Sequence, residues 1–405
     1  MKIIALDVHR TFAQVAILEN GKIRDASRLE LECEQILKFA ERLNVDDEIV
    51  LEATVNTKAI FRLLSPFVNR VVISNPLLVR DIAWAKVKAD KIDASVLAKL
   101  HASGFLPEVW MPDEETERLR RVVAERVQLV SQMTRLKNRI HSVLHANLIP
   151  PYNASLFTKR ERKWLEAQPV EQDQRRVILR HASELDRLGC ELKQIDEDLA
   201  QTALQEPRVK QLMTITGVNM VVALSVLAAI GDIGRFSSPE KLVSYFGLNP
   251  RVRQSGDKAA YHGRITKQGR SRARAMLVEA AWSVSRTPGP LRAFFRRIRE
   301  RQGNQIAAVA TARKLTVVIW HMLSKGEEYI WSRPALLDWK LRKLELTAGY
   351  PSHRGGGTKG SAADYSLKSV RDREREAVGH AEEVYRRFVI KWKQKSPMAK
   401  PVAPQ

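Results

Sequence analysis

Four carboxylates carry the spacing most worth chemical notice. Asp7 follows the apolar run Ile3-Ile4-Ala5-Leu6, and Glu52 follows Ile49-Val50-Leu51. Asp90 and Asp93 sit three apart in Lys88-Ala89-Asp90-Lys91-Ile92-Asp93-Ala94, which places them on one face of a helix. A carboxylate at the end of a buried strand needs a partner. Oxygen ligands suit hard cations such as Mg²⁺ or Mn²⁺. Two such ions, held roughly 3.5–4 Å apart, activate an attacking oxygen and stabilise a leaving one in phosphodiester transfer. Taken singly, each acid reads as a turn or surface charge; their joint placement is what points to metal chemistry.

The elements that must position these acids follow from the apolar pattern. Ile3 to Val8 and Ala13 to Leu18 read as buried strands. Asn20-Gly21 is the pair favoured in tight hairpins, so a third strand runs from Lys22 to about Leu29. A helix from Glu32 to Leu43, a strand from Glu48 to Glu52, a helix from Thr57 to Val68, a strand from Arg70 to Ser74 and helices after Pro76 complete the unit. The order βββαβαβα predicts a mixed sheet with helices on both faces, the order of a ribonuclease-H-like α/β fold. If the first and fourth strands are neighbours, Asp7 and Glu52 project side by side.

The chain has 405 residues, 44% of them hydrophobic, a net charge of +22 and a sequence pI near 10.1. This length suggests two or three domains with real cores, and the charge points to a polyanionic partner. Residues 251–301 hold 14 basic and 3 acidic side chains, half the surplus, whereas residues 1–100 are nearly balanced at 15 and 14. A phosphate-binding surface is therefore centred on 251–301, with the tail from Arg333 adding 16 basic against 8 acidic residues. No run approaches about 18 uncharged apolar residues, Val218 to Ile230 being the longest, so no membrane partner is expected. The N-terminal apolar run is too short for a secretion signal. Cys33 and Cys190 suggest neither a disulfide framework nor a zinc site. A reduced, cytoplasmic location follows. No GxxxxGK[ST] loop favours an ATPase.

Leu119, Val122, Leu129, Met133, Leu136, Ile140 and Val143 follow a heptad register interrupted only by Arg126. Ile178, Leu185, Leu188, Leu192, Ile195 and Leu199 form a second, after Pro150-Pro151. Two long helices result, paired within the chain or between chains. Leu212 to Asn219 followed by Met220 to Ile230 resembles a helix-hairpin-helix, whose turn and next helix start grip a phosphate. Asn219 stands there in place of the second turn glycine. Beyond Trp331 the chain turns polar and reads as partly disordered, with a helix from Glu374 to Trp392.

Together these residues resemble a family. Asp7 in Leu6-Asp7-Val8-His9, Glu52 in Leu51-Glu52-Ala53-Thr54, and Asp90 with Asp93 are similar to the DEDD tetrad of the IS-one-ten family, insertion-sequence transposases with a RuvC-like N-terminal domain. Leu248-Asn249-Pro250-Arg251, Ser255-Gly256, Gly263 to Gly269 and Arg274-Ala275-Met276-Leu277 resemble its C-terminal transposase domain, so the resemblance spans about residues 1–331. It implies a DNA recombinase with a RuvC-like domain at 1–108, a coiled-coil region at 109–205, a mainly helical transposase domain at 206–332 and a basic tail at 333–405.

The resemblance also implies a serine nucleophile that becomes linked to DNA, and Ser255 occupies the matching position, ahead of Thr266 and Ser271. Arg251, Arg253, Lys258, Arg264 and Lys267 surround it, with Arg270, Arg272 and Arg274 extending the run; these are the expected nucleic-acid contacts. A structured bridge RNA from the element, assembly as a dimer or tetramer through the helical middle, and action at the bacterial nucleoid are further implications. The tail would be an extra nucleic-acid contact. Without the serine, the carboxylates alone suit a metal-dependent junction nuclease, and the basic patch alone a non-catalytic binding protein.

Overall fold

The structure, a computed structural model, describes residues 1–82, 90–150, 152, 156–157, 159–254, 256, 260–352 and 361–395. The chain forms two compact units, Met1–Pro112 and Asp113–Gln405.

The first unit contains β1 (Ile3–Val8), β2 (Phe12–Glu19), β3 (Lys22–Glu30), α1 (Cys33–Ala40), β4 (Glu48–Glu52), α2 (Thr57–Leu64), β5 (Arg70–Ser74), α3 (Pro76–Ile82) and α4 (Asp90–Ala102). Its sheet has the order β3-β2-β1-β4-β5. The first three strands are antiparallel, and β4 and β5 run parallel to β1. Asn20 and Gly21 turn β2 into β3 with positive φ values of 50° and 76°, as the Asn-Gly pair requires. Pro66 limits α2, which ends at Leu64 and passes into a short 3-10 turn, Ser65–Phe67.

Both sheet faces are covered, which is why β1 is apolar at almost every position. On one face Ile4, Leu6, Ile49 and Leu51 pack with Ile36 and Ala40 of α1 and Ile60 and Leu64 of α2. On the other, Ile3, Ala5, Val50 and Val72 pack with Leu97 and Ala98 of α4. This mixed, helix-covered sheet is compatible with a ribonuclease-H-like start.

The second unit is largely helical. It comprises α5 (Glu114–Ala146), α6 (Lys159–Glu166), α7 (Gln172–Gln205), α8 (Pro207–Met213), α9 (Met220–Ile230), α10 (Pro239–Tyr245), the hairpin strands β6 (Pro250–Arg253) and β7 (Tyr261–Ile265), α11 (Ser271–Ser285), α12 (Pro290–Lys325), α13 (Pro334–Thr347) and α14 (Lys368–Lys395). The two heptad helices α5 and α7 pair with each other in antiparallel sense. Arg126, the polar break in the first stripe, bonds Asp196 at 2.5 and 3.3 Å, and Asn147 bonds Gln174 at 2.7 Å. At the closed end Ile140, Leu144, Ile178 and Leu185 share one cluster with Leu165 of α6.

Helix α9 is the centre of the main core, with every residue from Val222 to Ile230 buried. Apart from Ser225, whose hydroxyl donates to Val221 O, it is apolar throughout, as a core helix buried all round is. Helix α12 breaks at Gly303, whose φ is 83°. It includes a window apolar and long enough to cross a membrane by composition. Ala308, Ala312, Leu315 and Ile319 of that stretch are buried within the unit. The segment after Arg333 carries, among the described residues, two α-helices, α13 and an α14 that begins six residues before the expected Glu374 start, with a 3-10 turn at Ser361–Ser366 between them. Glu382 of α14 is buried and accepts from Gly289 N–H and Arg292, at 3.0 and 2.8 Å.

Candidate functional site

Sheet register builds the acidic site. The β1–β4 pairing ends at Leu6 opposite Leu51, so Asp7 and Glu52 are the next residues on adjacent parallel strands. Alternation puts Ile3, Ala5 and Asp7 of β1, and Val50 and Glu52 of β4, on the face that α4 covers. The last full turn of α4 is anchored at the opposite strand ends, where His101 pairs with Glu48. From His101 back to Asp93 is roughly 12 Å of helix, and from Glu48 to Glu52 roughly 13 Å of strand. The two lengths match, and Asp93 therefore returns to the end of the sheet where Asp7 and Glu52 lie.

The electrostatics follow from that convergence. Burial raises the Glu52 carboxyl above its ordinary value, and the charges of Asp7 and Asp93 raise it further. Asp7 is largely buried, and His9 Nε2 lies 3.3 Å from its Oδ2. His9 in turn stacks on Phe12, which Arg28 covers from 3.8 Å. The loop after β4 is held by hydroxyls: Thr57 donates to Glu52 O at 2.9 Å and accepts from Thr54 N–H at 2.6 Å. Asp90 opens α4, and its side chain lies outside the described residues. Among the described residues no three His, Cys, Asp or Glu side chains are close enough to hold an ion. Asp7 and Asp93 each stand within electrostatic range of Glu52. Their donor chemistry is that of a hard divalent cation.

The basic region is built on β6 and β7. Pro250 pairs with Ile265 and Arg253 with Tyr261. Ser255 and Lys258, in the connecting loop, lie outside the described residues. Arg251, Arg253, Arg264 and Lys267 line one open hollow of about 390 Å³ together with Tyr261 and Thr266. Lys267 has a φ of 59°, a left-handed conformation that costs a non-glycine residue energy. Its N–H bonds Gly247 O at 3.2 Å.

The neighbouring loop is fixed by close approach. A Cβ on Gly269, where φ is 108°, would stand 2.1 Å from Tyr245 O. Arg270 donates to the Tyr245 hydroxyl at 2.7 Å, and Arg274 to Phe246 O at 2.8 Å. Arg274 is thus a brace, whereas Arg272 is exposed.

The hairpin before α9 also has a definite construction. Asn219 caps α9 by accepting from Val222 N–H at 3.0 Å, the role Asn fills best. A Cβ on Gly217 would stand 2.5 Å from Ala280 O of α11, so the turn packs directly on that helix. Lys340 of α13 places its buried ammonium on Met213, Ile215 and Val218 carbonyls at 2.7, 2.8 and 2.9 Å. Burial, with the Arg333 guanidinium nearby, pushes its pKa down to about 7, while three carbonyl acceptors match the three hydrogens of an ammonium.

Sequence reasoning missed several of these residues. His9 was within reach, being two residues past Asp7. The β6–β7 hairpin had a signal in Arg251-Val252-Arg253, whose polar and apolar residues alternate. Lys340 and Arg120, described below, act over more than a hundred residues and leave no local signal.

Comparison with known proteins agrees with this layout. Residues 209–296 match the Transposase IS116/IS110/IS902 family, and residues 4–148 match the DEDD transposase family of IS110 type. The chain is 28% identical over 293 residues to the putative transposase y4qE of Sinorhizobium fredii, covering 70% of this chain and 72% of that protein. It is 28% identical over 249 residues to the transposase for insertion sequence element IS1111A of Coxiella burnetii, with 60% and 68% covered. A pilin gene-inverting protein of Moraxella bovis is 26% identical over 271 residues, with 64% and 74% covered.

Proposed function

We propose that this chain, which belongs to the IS116/IS110/IS902 family of transposases, cuts and rejoins DNA strands using carboxylates of its first unit and a serine of its second. The convergence of Asp7, Glu52 and Asp93 at one end of the sheet carries this reading. A half-buried carboxyl whose pKa is raised by burial and by two neighbouring carboxylates, as Glu52 is by Asp7 and Asp93, marks a place built for a cation. Asp90 joins them as the fourth ligand, in a domain of RuvC-like fold over residues 1–108. Mg²⁺ or Mn²⁺ held there supplies charge stabilisation at the transferring phosphate. The chain's own carboxylates fix where that charge sits, and the Thr54–Thr57 loop keeps Glu52 in register.

Ser255 is the nucleophile. Its oxygen bonds to phosphorus as the bond to the leaving sugar oxygen breaks; the serine proton passes to solvent and the leaving oxygen takes one up. A hydroxyl of the incoming strand then reverses the step and frees the serine. Arg251, Arg253, Lys258, Arg264 and Lys267 neutralise the phosphate, and Arg270 and Arg272 extend the contact surface within the 206–332 transposase domain, while Arg274, expected there as well, braces Phe246 O instead. The α8–α9 hairpin, held by Lys340, serves as a helix-hairpin-helix phosphate grip. A bridge RNA selects donor and target by pairing.

Dimers or tetramers assemble through the coiled-coil region, 109–205, where Val130 and Leu179 remain exposed on the helical hairpin. The tail, 333–405, adds basic contacts. The protein works in the cytoplasm, at the nucleoid. The likeness to a gene-inverting protein extends the substrate class to two sites in one DNA, where the same strand exchange inverts the segment between them.

A marked element mobilised in bacterial cells tests the reading. Asp7→Asn and Ser255→Ala each reduce transposition by at least about 10³-fold while the protein stays folded. Full activity of Ser255→Ala overturns the nucleophile assignment, and full activity of Asp7→Asn overturns the carboxylate site.

A further inference from the structure

A second hollow of the C-terminal unit, about 280 Å³, lies beside the start of α11. Arg120 of α5, Arg270, Arg272, Gly269 and Ser271 line it, and among the described residues no carboxylate does. Three guanidinium groups from two distant stretches of chain therefore meet around a cavity that no carboxylate among the described residues lines. Arg120 is fixed from behind, donating to Ala228 O and Ala229 O at the end of α9 at 2.7 and 3.1 Å. Arg270 is fixed by the Tyr245 hydroxyl. Arg235 stands behind them, its guanidinium 4.4 Å from the Tyr245 ring centroid.

Neighbouring charge bears on Arg120 and Arg235. Burial and the Arg270 charge lower the pKa of Arg120; Arg235 is lowered chiefly by burial and also by Arg270. Glu117 and Asp232 offset part of this from outside the hollow. A folded protein tolerates such clustering where a ligand of opposite sign completes it. The first turn of α11, a helix of 15 residues, faces the same space and adds N–H donors without intrahelical partners.

We propose that this hollow seats one phosphodiester of the nucleic-acid backbone, gripped by Arg120, Arg270, Arg272 and the opening N–H groups of α11, with the Ser271 hydroxyl as a further donor. The proposal rests on the nucleic-acid reading above and gives it a defined subsite. Arg120 lies in the segment matched by one family model and Arg270 to Arg272 in the segment matched by the other, so neither motif alone indicates the pairing. The seat is preformed, because Gly269 and Tyr245 lock the loop that presents Arg270.

Two variants of the full chain test it, Arg272→Gln and Ser271→Glu. Glutamate in the first turn of a helix favours folding, so Ser271→Glu keeps or raises the melting temperature while placing negative charge in the hollow. Binding is read across a salt series with two separate probes, a duplex of the element's end and the element's flanking RNA. Each variant is expected to weaken binding about tenfold at physiological salt, and Arg272→Gln to lower the salt slope by about one. The probe affected identifies whose backbone occupies the seat. Unchanged affinity and slope in both variants overturn the seat and the Arg272 contact with it, and leave the strand-transfer reading on the carboxylates and Ser255 standing. A wild-type chain that binds neither probe overturns the proposed function. Protection by the dinucleotide dTpdT against thermal unfolding then still decides the seat: it supports the seat if lost in Ser271→Glu and overturns it if equal in both.

Discussion

The acidic end of the first unit and the basic hollow of the second are electrostatic opposites built on one plan. At the sheet end, Asp7 and Asp93 raise the pKa of a half-buried Glu52. Beside α11, the Arg270 guanidinium adds to burial in lowering Arg120 and Arg235. Each cluster holds like charges close together and so costs stability until an ion of the other sign arrives. Lys340 shows the alternative. It is also a buried cation, yet its three carbonyl partners come from the chain itself. Lys340, whose three hydrogens are met by carbonyls, is structural; like charges set around a hollow or a sheet end mark a place for a ligand.

The largest expected effect breaks the internally completed case. Lys340→Met leaves buried carbonyls of the α8–α9 turn without their donor, and should lower stability by about 2–4 kcal/mol. The denaturant midpoint of the variant measures this. An unchanged midpoint would mean that α13 does not hold the hairpin.

A smaller effect, of opposite sign, sharpens the acidic case. Because the folded pKa of Glu52 is raised, its contribution to stability is present below the ordinary glutamate range near 4.5 and is lost as pH rises through the folded value. At neutral pH and without divalent ions, Glu52→Gln should therefore stabilise the protein slightly, by about 1 kcal/mol or less given partial solvent screening. Added Mg²⁺ should raise the melting temperature of the wild type and leave that of Glu52→Gln unchanged. A variant less stable than wild type at neutral pH would show that the carboxylates do not strain the fold.

The contrast also explains what could be read from the sequence. The succession of elements, with Asp7 and Glu52 each at the end of a short apolar run, is a local pattern; the pairing of β1 with β4 that makes them neighbours is not local and comes from the sheet. Asp93 reaches them because α4 is as long as the strands it covers, again a matter of counting residues. The basic region gave its charge but not its shape. Arg251 to Arg274 read as a single run, yet they divide between two hollows and a brace at Phe246. That division depends on Gly269 closing against Tyr245, and on Arg120 arriving from α5. Contacts made across such distances in the chain have no period to betray them. Arg126 had the opposite fate: it looked like a flaw in the heptad stripe, and Asp196 across the hairpin explains it.

Trapping tests the central claim most directly. Labelled DNA carrying the element's ends, the flanking RNA and Mg²⁺ are incubated with wild type, Ser255→Ala and Asp7→Asn, then denatured. A protein–DNA adduct that survives denaturation in the wild type and is absent from both variants is the predicted result. Cleavage without any adduct, undiminished in Ser255→Ala, would contradict it and make the chain a nuclease in which water attacks.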